Sequence, residues 1–275
     1  MERLLVPESI RWEVVVVDNG STDGTRNICE PFLRGGPERY VYVHEPRKGK
    51  SVALNTGIDV AKGEILAFTD DDCIVDENWL AAVVGEFTAD PSVAVLGGRV
   101  ELYDKRDMPF SIITCREKVT LKGIYSRSSP EGLLFNNVIM GCNMAAKREV
   151  FRKAGNFDVF LGPGTRSKAV EDLEFLYRAF KNGYKVVYYP SVLVYHNHGR
   201  RTDEAVKALE NEYARGRGAF HGKYAFADWE VAQRAFWDVY REAKRIFKGE
   251  SIGESVSHLR ALAAGALESM FGRKA

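Results

Sequence analysis

Three adjacent carboxylates, Asp70, Asp71 and Asp72, follow the apolar run Glu64–Phe68 and precede a turn, Val75–Leu80, that reads as a helix start with Asp76 as N-cap. Like charges crowded at the end of a buried strand repel one another unless a cation or hydrogen-bond donors are present. Residues two apart on an extended segment share a side, so Asp70 and Asp72 can face one ligand while Asp71 points the other way. Hard oxygen ligands of this kind suit Mg²⁺ or Mn²⁺, shared with substrate phosphates. The plain alternative is a solvated acidic turn. Other candidates lie at a distance in the chain: Asp18 closing Trp12–Val17, the pair Glu171-Asp172 opening an amphipathic stretch, and His196 and His198 ending another apolar run. Two histidines at that spacing share a face of a strand and could equally form a transition-metal pair.

The elements that must position these groups are legible as strands alternating with helices. Val14–Val17 is a β-branched run, as in a parallel strand buried on both faces. The polar turn Asp18–Thr25 follows, with Ser21 or Thr22 able to cap a helix through about Phe32. Next come a strand at Tyr40–Val43, the basic loop Arg47–Lys50, a helix over Ser51–Ala61, a strand at Ile65–Phe68, a helix from about Glu77 to Phe87 and a strand at Val93–Val100. This alternation predicts a doubly wound α/β sheet with parallel strands, in which ligands bind beyond the carboxyl ends. Asp18 and Asp70–Asp72 both sit at such ends, so two independent acidic turns fall on one edge.

Further on, Met108–Lys122 is predicted helical and Ser126–Gly132 an exposed loop. Gly141–Ala146 is a short strand followed by a helix from Lys147 to about Ala154, Gly162–Thr165 a loop flexible enough to act as a lid, and Glu171–Phe180 an amphipathic helix. Strands at Lys185–Tyr189 and Val192–Tyr195 run into His196. From Thr202 onward only helices are expected: Asp203–Ala219, Asp228–Lys248 and Gly253–Phe271, the last weakened by Gly265. Trp229, Phe236, Trp237, Tyr240 and Phe247 form an aromatic stripe on the middle one, read as packing surface before membrane or acceptor platform.

Composition narrows the function. The 275 residues are 45% hydrophobic and 28% charged, ordinary for a soluble globular protein, and a net charge of +1 argues against nucleic acid as partner. No apolar run approaches the roughly 20 residues that span a bilayer. The four cysteines form no CxxC pair and suggest neither a zinc site nor a disulfide framework, so a cytoplasmic location is expected. No GxGxxG follows the first strand, which weakens a dinucleotide reading.

Six segments in order resemble the family 2 glycosyltransferases, inverting enzymes of the GT-A fold: Val14–Thr25 (VVVVDNGSTDGT), Arg47–Ile58 (RKGKSVALNTGI), Phe68–Trp79 (FTDDDCIVDENW), Gly141–Asp158 (GCNMAAKREVFRKAGNFD), Glu171–Phe175 (EDLEF) and Val194–Gly199 (VYHNHG). The resemblance covers about residues 10–200. It implies a GT-A-like doubly wound mixed sheet over residues 1–200, followed by an all-helical extension over 201–275. It also implies a nucleotide-diphosphate-sugar donor, a glycan or lipid-linked acceptor and a Mg²⁺ or Mn²⁺ cofactor. By the same resemblance Asp18 contacts the donor's base, and Asn19 and Ser21 of its turn belong to donor binding. Asp70 and Asp71 of the DxD motif and Asn143 also belong to donor binding, with Arg47 or Lys48, the latter foremost, near the donor. Asp72 holds the cation, His196 or His198 completes the metal or diphosphate site, and Asp172 is the catalytic base.

One departure stands out. The family begins with a strand, a Pro-Thr-Tyr-Asn-like turn and a helix ahead of the VVVVDNGS strand, whereas here only Met1–Arg11 precede it. The expectation is an N-terminally truncated form or a mis-assigned start, with a vacant slot beside the 13–18 strand. That makes a non-catalytic nucleotide-sugar-binding module the main alternative; a nucleotidyltransferase lacks its phosphate loop here. Between Arg241 and Ala275 seven Lys/Arg face four Asp/Glu, which suggests peripheral contact with a membrane surface.

Overall fold

The computed structural model describes residues 4–121 and 138–272. In chain order the elements are β1 (Val14–Asp18), α1 (Thr25–Gly35), β2 (Tyr40–His44), α2 (Lys50–Val60), β3 (Ile65–Phe68), β4 (Cys73–Val75), α3 (Trp79–Ala89), β5 (Val93–Leu102) and β6 (Val119–Thr120). A 3-10 turn (Gly141–Asn143) then leads to β7 (Met144–Lys147), α4 (Arg148–Ala154), α5 (Glu171–Lys181), β8 (Lys185–His196), α6 (Asp203–Tyr224), α7 (Trp229–Phe247) and α8 (Ile252–Phe271).

The main sheet is six-stranded and mixed, in the order β3-β7-β5-β8-β4 with β6 on β8. β5 and β8 are parallel; β7 runs antiparallel to β3 and β5, and β4 antiparallel to β8. The parallel strands expected from β3 and β5 are thus separated by the later antiparallel β7. β1 and β2 pair in parallel as a separate two-stranded sheet. Among the described residues no strand joins β1 to β3.

Each face of the main sheet buries an apolar layer. On one side Phe68, Phe151, Phe157 and Phe175 form an aromatic cluster, with the Phe151 and Phe175 rings stacked at 4.5 Å. On the other, Trp79, Val83 and Phe87 of α3 cover Leu96, Val187 and Val194. Lys185–His196 is one strand rather than two: its register on β5 slips between Gly98 and Arg99, and Pro190 falls within the skipped stretch, where a missing N–H costs no ladder bond. Gly98 is required there, because a Cβ would come within 2.0 Å of the Val192 carbonyl oxygen.

The helical segment docks on the first apolar layer through Ala219, Phe220 and Val231. Gly265 lies where α8 crosses α6, with room for no side chain against the Arg215 carbonyl, so the residue that counted against this helix enables its packing.

Several expectations fail locally, for identifiable reasons. Ser21 does not cap α1: its N–H turns back to Asp18 Oδ1 at 2.7 Å, and the helix starts after Gly24. Asp76 is not the N-cap of α3; its Oδ1 accepts from the Asn78 N–H at 3.0 Å in a turn, and Asn78 holds the N-cap position without a side-chain bond to the helix. Cys73–Val75, for which no strand is expected and whose last residue falls in the predicted turn Val75–Leu80, is a strand because β8 offers a partner. The described part of Met108–Lys122 is not helical: Ile113 bridges Val100 and Val119–Thr120 pairs with β8. The Ser126–Gly132 loop lies outside the described residues.

Candidate active site

Strand ends and one helix start bring the acidic groups to a single cleft of about 2380 Å³, whose walls include Asp18, Asn19, Ser21, Lys48, Lys50, Asp70, Asp71, Asp72, Asp172 and His196. At the end of β1, Asp18 accepts from the Ser21 N–H and from the Tyr42 hydroxyl. The Tyr42 bond foremost, then Ser21, lowers its carboxyl to about 2, so it stays ionised. Asn19 staples the basic loop to this turn: its amide nitrogen donates to the Glu45 and Arg47 carbonyls and its oxygen accepts from the Gly49 N–H at 2.9 Å. Arg47 is held bidentate by Glu45, which leaves Lys48 and Lys50 as the loop cations that line the cleft.

Lys50 is the residue that sequence reasoning passed over. Its Nζ lies 2.7 Å from Asp70 Oδ2 and 3.5 Å from Glu171 Oε1, joining the DxD turn to the start of α5. Burial works against its charge, but Asp70 and Glu171 outweigh it and raise its pKa. The basic run Arg47–Lys50 was the available signal; that its last member would point inward depended on the Gly49 turn, with φ at 131°.

At the end of β3, Asp70 is tied to Lys50, Asp71 is exposed and Asp72 faces His196, with His196 Nε2 3.2 Å from Asp72 Oδ2. His196 Nδ1 lies 3.1 Å from the Ser111 carbonyl oxygen, which can only accept, so Nδ1 carries a proton. Nε2 then either donates a second proton to Asp72 or presents a lone pair beside the carboxylate, an arrangement that a shared cation satisfies. Burial, the largest single effect, lowers the His196 pKa; the bonds to Asp72 and the Ser111 carbonyl, with the nearby negative charge, together outweigh it, and the net direction is up. Ligand atoms of Asp72, Cys73 and His196 all lie within 4.8 Å of one another. Carboxylate and imidazole with open positions suit Mn²⁺ or Mg²⁺ completed by diphosphate oxygens, while the Cys73 thiol is a poor partner for either. The residues present therefore fit a divalent cation.

His198 does not line the cleft, although its ring packs edge-on against that of His196 with centroids 5.1 Å apart. Its Nδ1 accepts from the Arg200 N–H at 3.0 Å and lies 3.8 Å from Asp107, with the side chain wholly buried. Asn143 does not reach the cleft either: its oxygen accepts from Trp79 Nε1 and its nitrogen donates to the Arg99 and Val192 carbonyls, so all its polar capacity is spent on holding strands together. Both residues were expected in the site because they stand inside the quoted motifs; both serve the scaffold beneath it.

Asp172 lies in the first turn of α5, where the helix macrodipole attracts negative charge. Its Oδ2 accepts from the Gly141 N–H at 2.8 Å and its Oδ1 from the Leu173 N–H at 2.7 Å, which fixes the carboxylate at the cleft wall. Val170, directly before this helix, has φ at 74°, unusual for a β-branched residue, and Lys168 has φ at 71°. Strain of this kind beside a carboxylate marks a turn held in place by its surroundings. The Gly162–Thr165 loop, expected as a lid, is fastened: the Lys50 N–H donates to the Pro163 carbonyl and the Thr165 hydroxyl to the Gly162 carbonyl.

With the geometry in hand, comparison with known proteins is informative. The pattern defining Glycosyl transferase family 2 matches residues 2–155, more than half of the chain, and the chain belongs to this family. Among curated relatives, glycosyltransferase AglE of Haloferax volcanii is 28% identical over 186 residues, covering 68% of this chain and 57% of the relative. Glycosyltransferase GlyG of Streptococcus pneumoniae is 30% identical over 134 residues, covering 47% of this chain and 44% of the relative. The chain thus spans about half the length of these relatives. Among solved structures, the mannosyltransferase PcManGT of Pyrobaculum calidifontis, in complex with GDP-Man and Mn²⁺, matches with a TM-score of 0.59 at 20% identity, over 99% of this chain and 81% of that one. TarS 1–349 of S. aureus, in complex with UDP, matches with a TM-score of 0.54 at 19% identity, over 78% and 58%. The fold is that of the GT-A glycosyltransferases.

Proposed function

We propose that the chain transfers a sugar from a nucleotide-diphosphate donor to a hydroxyl of a glycan or lipid-linked acceptor, by a metal-dependent displacement that inverts the anomeric carbon. The observation that carries this reading is the convergence of Asp18, Asp70–Asp72 with His196, and Asp172 on one cleft from four separate stretches of chain. The donor's base and ribose go to the Asp18–Ser21 turn, where an ionised Asp18 accepts from N–H or O–H groups. The diphosphate goes to the Asp70–Asp72 turn, with Lys48 lining the same side. A cation held by Asp72 and His196, when bound, neutralises charge on the departing diphosphate. Asp172 takes the proton of the attacking hydroxyl, and a single base suffices for a direct displacement. GDP-Man with Mn²⁺ in PcManGT and UDP in TarS support a nucleotide donor.

Beyond Asp172 the cleft is walled by Phe110 and Tyr213, whose rings stack at 5.9 Å, and by Arg200. An aromatic platform with a cation suits a sugar ring carrying an anionic group. On the outside of α7, Trp229 is 74% and Phe247 94% exposed, with Phe236, Trp237 and Tyr240 also exposed. The stripe expected to pack is therefore open, and with Lys244 and Lys248 beside it suits the surface of an anionic membrane. Among the described residues no helix is long and apolar enough to cross a membrane. The test is release of nucleotide from a panel of UDP- and GDP-sugars with and without Mn²⁺. Metal-dependent release from one donor class is expected. Thermal stabilisation by nucleotide and Mn²⁺ without turnover under any acceptor would favour the binding-module alternative.

A further inference from the structure

Arginines gather at the end of the cleft beyond Tyr213. On α6, Leu209, Tyr213 and Arg217 recur at helical spacing and share the face turned to the cleft. Arg234 and Arg241 of α7 line it as well, and so does Arg200 after β8, whose guanidinium makes no ion pair among the described residues. The three helical arginines converge on one carboxylate. Asp238 Oδ1 lies 3.2 Å from Arg234 and 3.1 Å from Arg241, and its Oδ2 lies 3.6 Å from Arg217 Nε. Across that last gap neither Oδ2 nor Nε makes a hydrogen bond among the described residues. His221, 3.5 Å from the same oxygen, adds no charge at neutral pH, because burial brings its pKa down to about 4.

The other acids nearby are engaged elsewhere. Glu242 lies 3.5 Å from Arg241 but also 3.3 Å from Arg245 and 3.6 Å from His258, and Glu254 answers Arg245 and Lys207. Glu212 lines the cleft from an exposed position on α6. Arg217 is therefore the least answered of the group. Burial opposes its charge most; Asp238 favours it, Arg241 and Arg234 oppose it, and the net pKa direction is down. A buried guanidinium in this position gains from a further anion, and its planar fork matches the oxygens of a phosphate. Tyr213 ties the cluster to the chemistry. Its hydroxyl lies 3.0 Å from that of Ser111, and it is near enough to Asp172 and Arg200 to sense both charges. Arg217 stands one helical turn further on, about 5.4 Å along the axis.

We propose that Arg217, Arg234 and Arg241 seat the phosphate or diphosphate group of a phosphate-linked acceptor, whose sugar lies over Phe110 and Tyr213 with its hydroxyl at Asp172. The acceptor role rests on the sugar-transfer reading; the anion seat is tested without transfer. Inorganic pyrophosphate is titrated calorimetrically into the full chain in EDTA, which withholds the cation that the Asp72–His196 pair would share. The wild type should bind. Arg217→Gln, and Arg241→Gln at its half-exposed position, should each weaken binding by about tenfold or more. Asp238→Asn, which removes the competing carboxylate, should tighten it by about threefold or more. A second arm replaces pyrophosphate by geranyl diphosphate. Tighter binding than pyrophosphate assigns the anion to a lipid carrier and equal binding to a soluble phosphate ester; either supports the seat. No binding by the wild type, unchanged affinity in both arginine variants, or unchanged or weaker binding in folded Asp238→Asn overturns it. Nucleotide release from sugar donors by a chain that binds no pyrophosphate overturns the seat alone and leaves sugar transfer standing. Pyrophosphate held by these arginines in a chain that transfers no sugar overturns the acceptor role instead.

Discussion

Replacing Glu171 by Gln isolates the electrostatics beneath the site. Glu171 is 5% exposed, adjoins Asp172 and lies 3.5 Å from the Lys50 ammonium. Burial first, and the neighbouring Asp172 second, push its carboxyl up to about 7 from an ordinary 4.5, and Lys50 does not reverse this. An acid whose folded pKa exceeds its unfolded value retains on folding a proton that the unfolded chain has lost. Stability is then greatest below the unfolded pKa of 4.5, falls as pH rises to about 7 and levels off above. Over a span of about 2.5 pH units at about 1.36 kcal/mol each, the ionised Glu171 costs at most on the order of 3 kcal/mol. Gln keeps the shape and removes the charge. Urea denaturation of both proteins at pH 4.5, 6 and 8 should show Glu171→Gln more stable by about 1–3 kcal/mol at pH 8, with the difference vanishing towards pH 4.5. A difference independent of pH, or a variant less stable at pH 8, refutes this reasoning; Glu171 would then be an ionised partner of Lys50 with net favourable pairing.

Three other outcomes follow. Asp238 is fully buried on α7 and lies 3.2 Å from Arg234, 3.1 Å from Arg241 and 3.6 Å from Arg217, so Asp238→Ala should cost about 3–5 kcal/mol in urea denaturation by stranding buried cations. Gly265→Ala puts a Cβ within 1.9 Å of the Arg215 carbonyl oxygen, and by forcing α8 off α6 should lower stability by about 1–3 kcal/mol or more in the same assay. In thermal-shift measurements UDP or GDP should stabilise the wild type only with Mn²⁺ present, and His196→Ala should lose most of that metal dependence while Asn143→Ala, whose role is structural, lowers the melting point with no nucleotide at all.

What the sequence made legible was the ladder of strands and the acidic strand ends. Hydrophobic periodicity located Val14–Val17, Ile65–Phe68 and Val93–Val100, and any polar group directly after such a run must emerge at the carboxyl edge, so Asp18 and Asp70–Asp72 could be placed together without coordinates. Contacts that depend on distant partners were not legible. Cys73–Val75 became a strand only because β8 lies alongside, and Asn143 left the site only because Trp79 and two carbonyls surround it. His196 and His198 show the limit most plainly. Their spacing promised a shared face, and the rings do meet edge-on at 5.1 Å, but the strand ends at His196 and the Nδ1 of His198 is taken up by the Arg200 N–H beside Asp107, away from the cleft.

The most direct measurement of the central claim is nucleotide release from the preferred sugar donor with Mn²⁺, compared between the wild type and Asp172→Asn. The variant retains an oxygen for one of the two N–H donors that hold the carboxylate but cannot accept the acceptor's proton. If Asp172 is the base, turnover should fall by about 10²–10⁴-fold while Mn²⁺-dependent nucleotide binding persists. Release that continues at the wild-type rate in Asp172→Asn would contradict the assignment of this cleft as the site of sugar transfer.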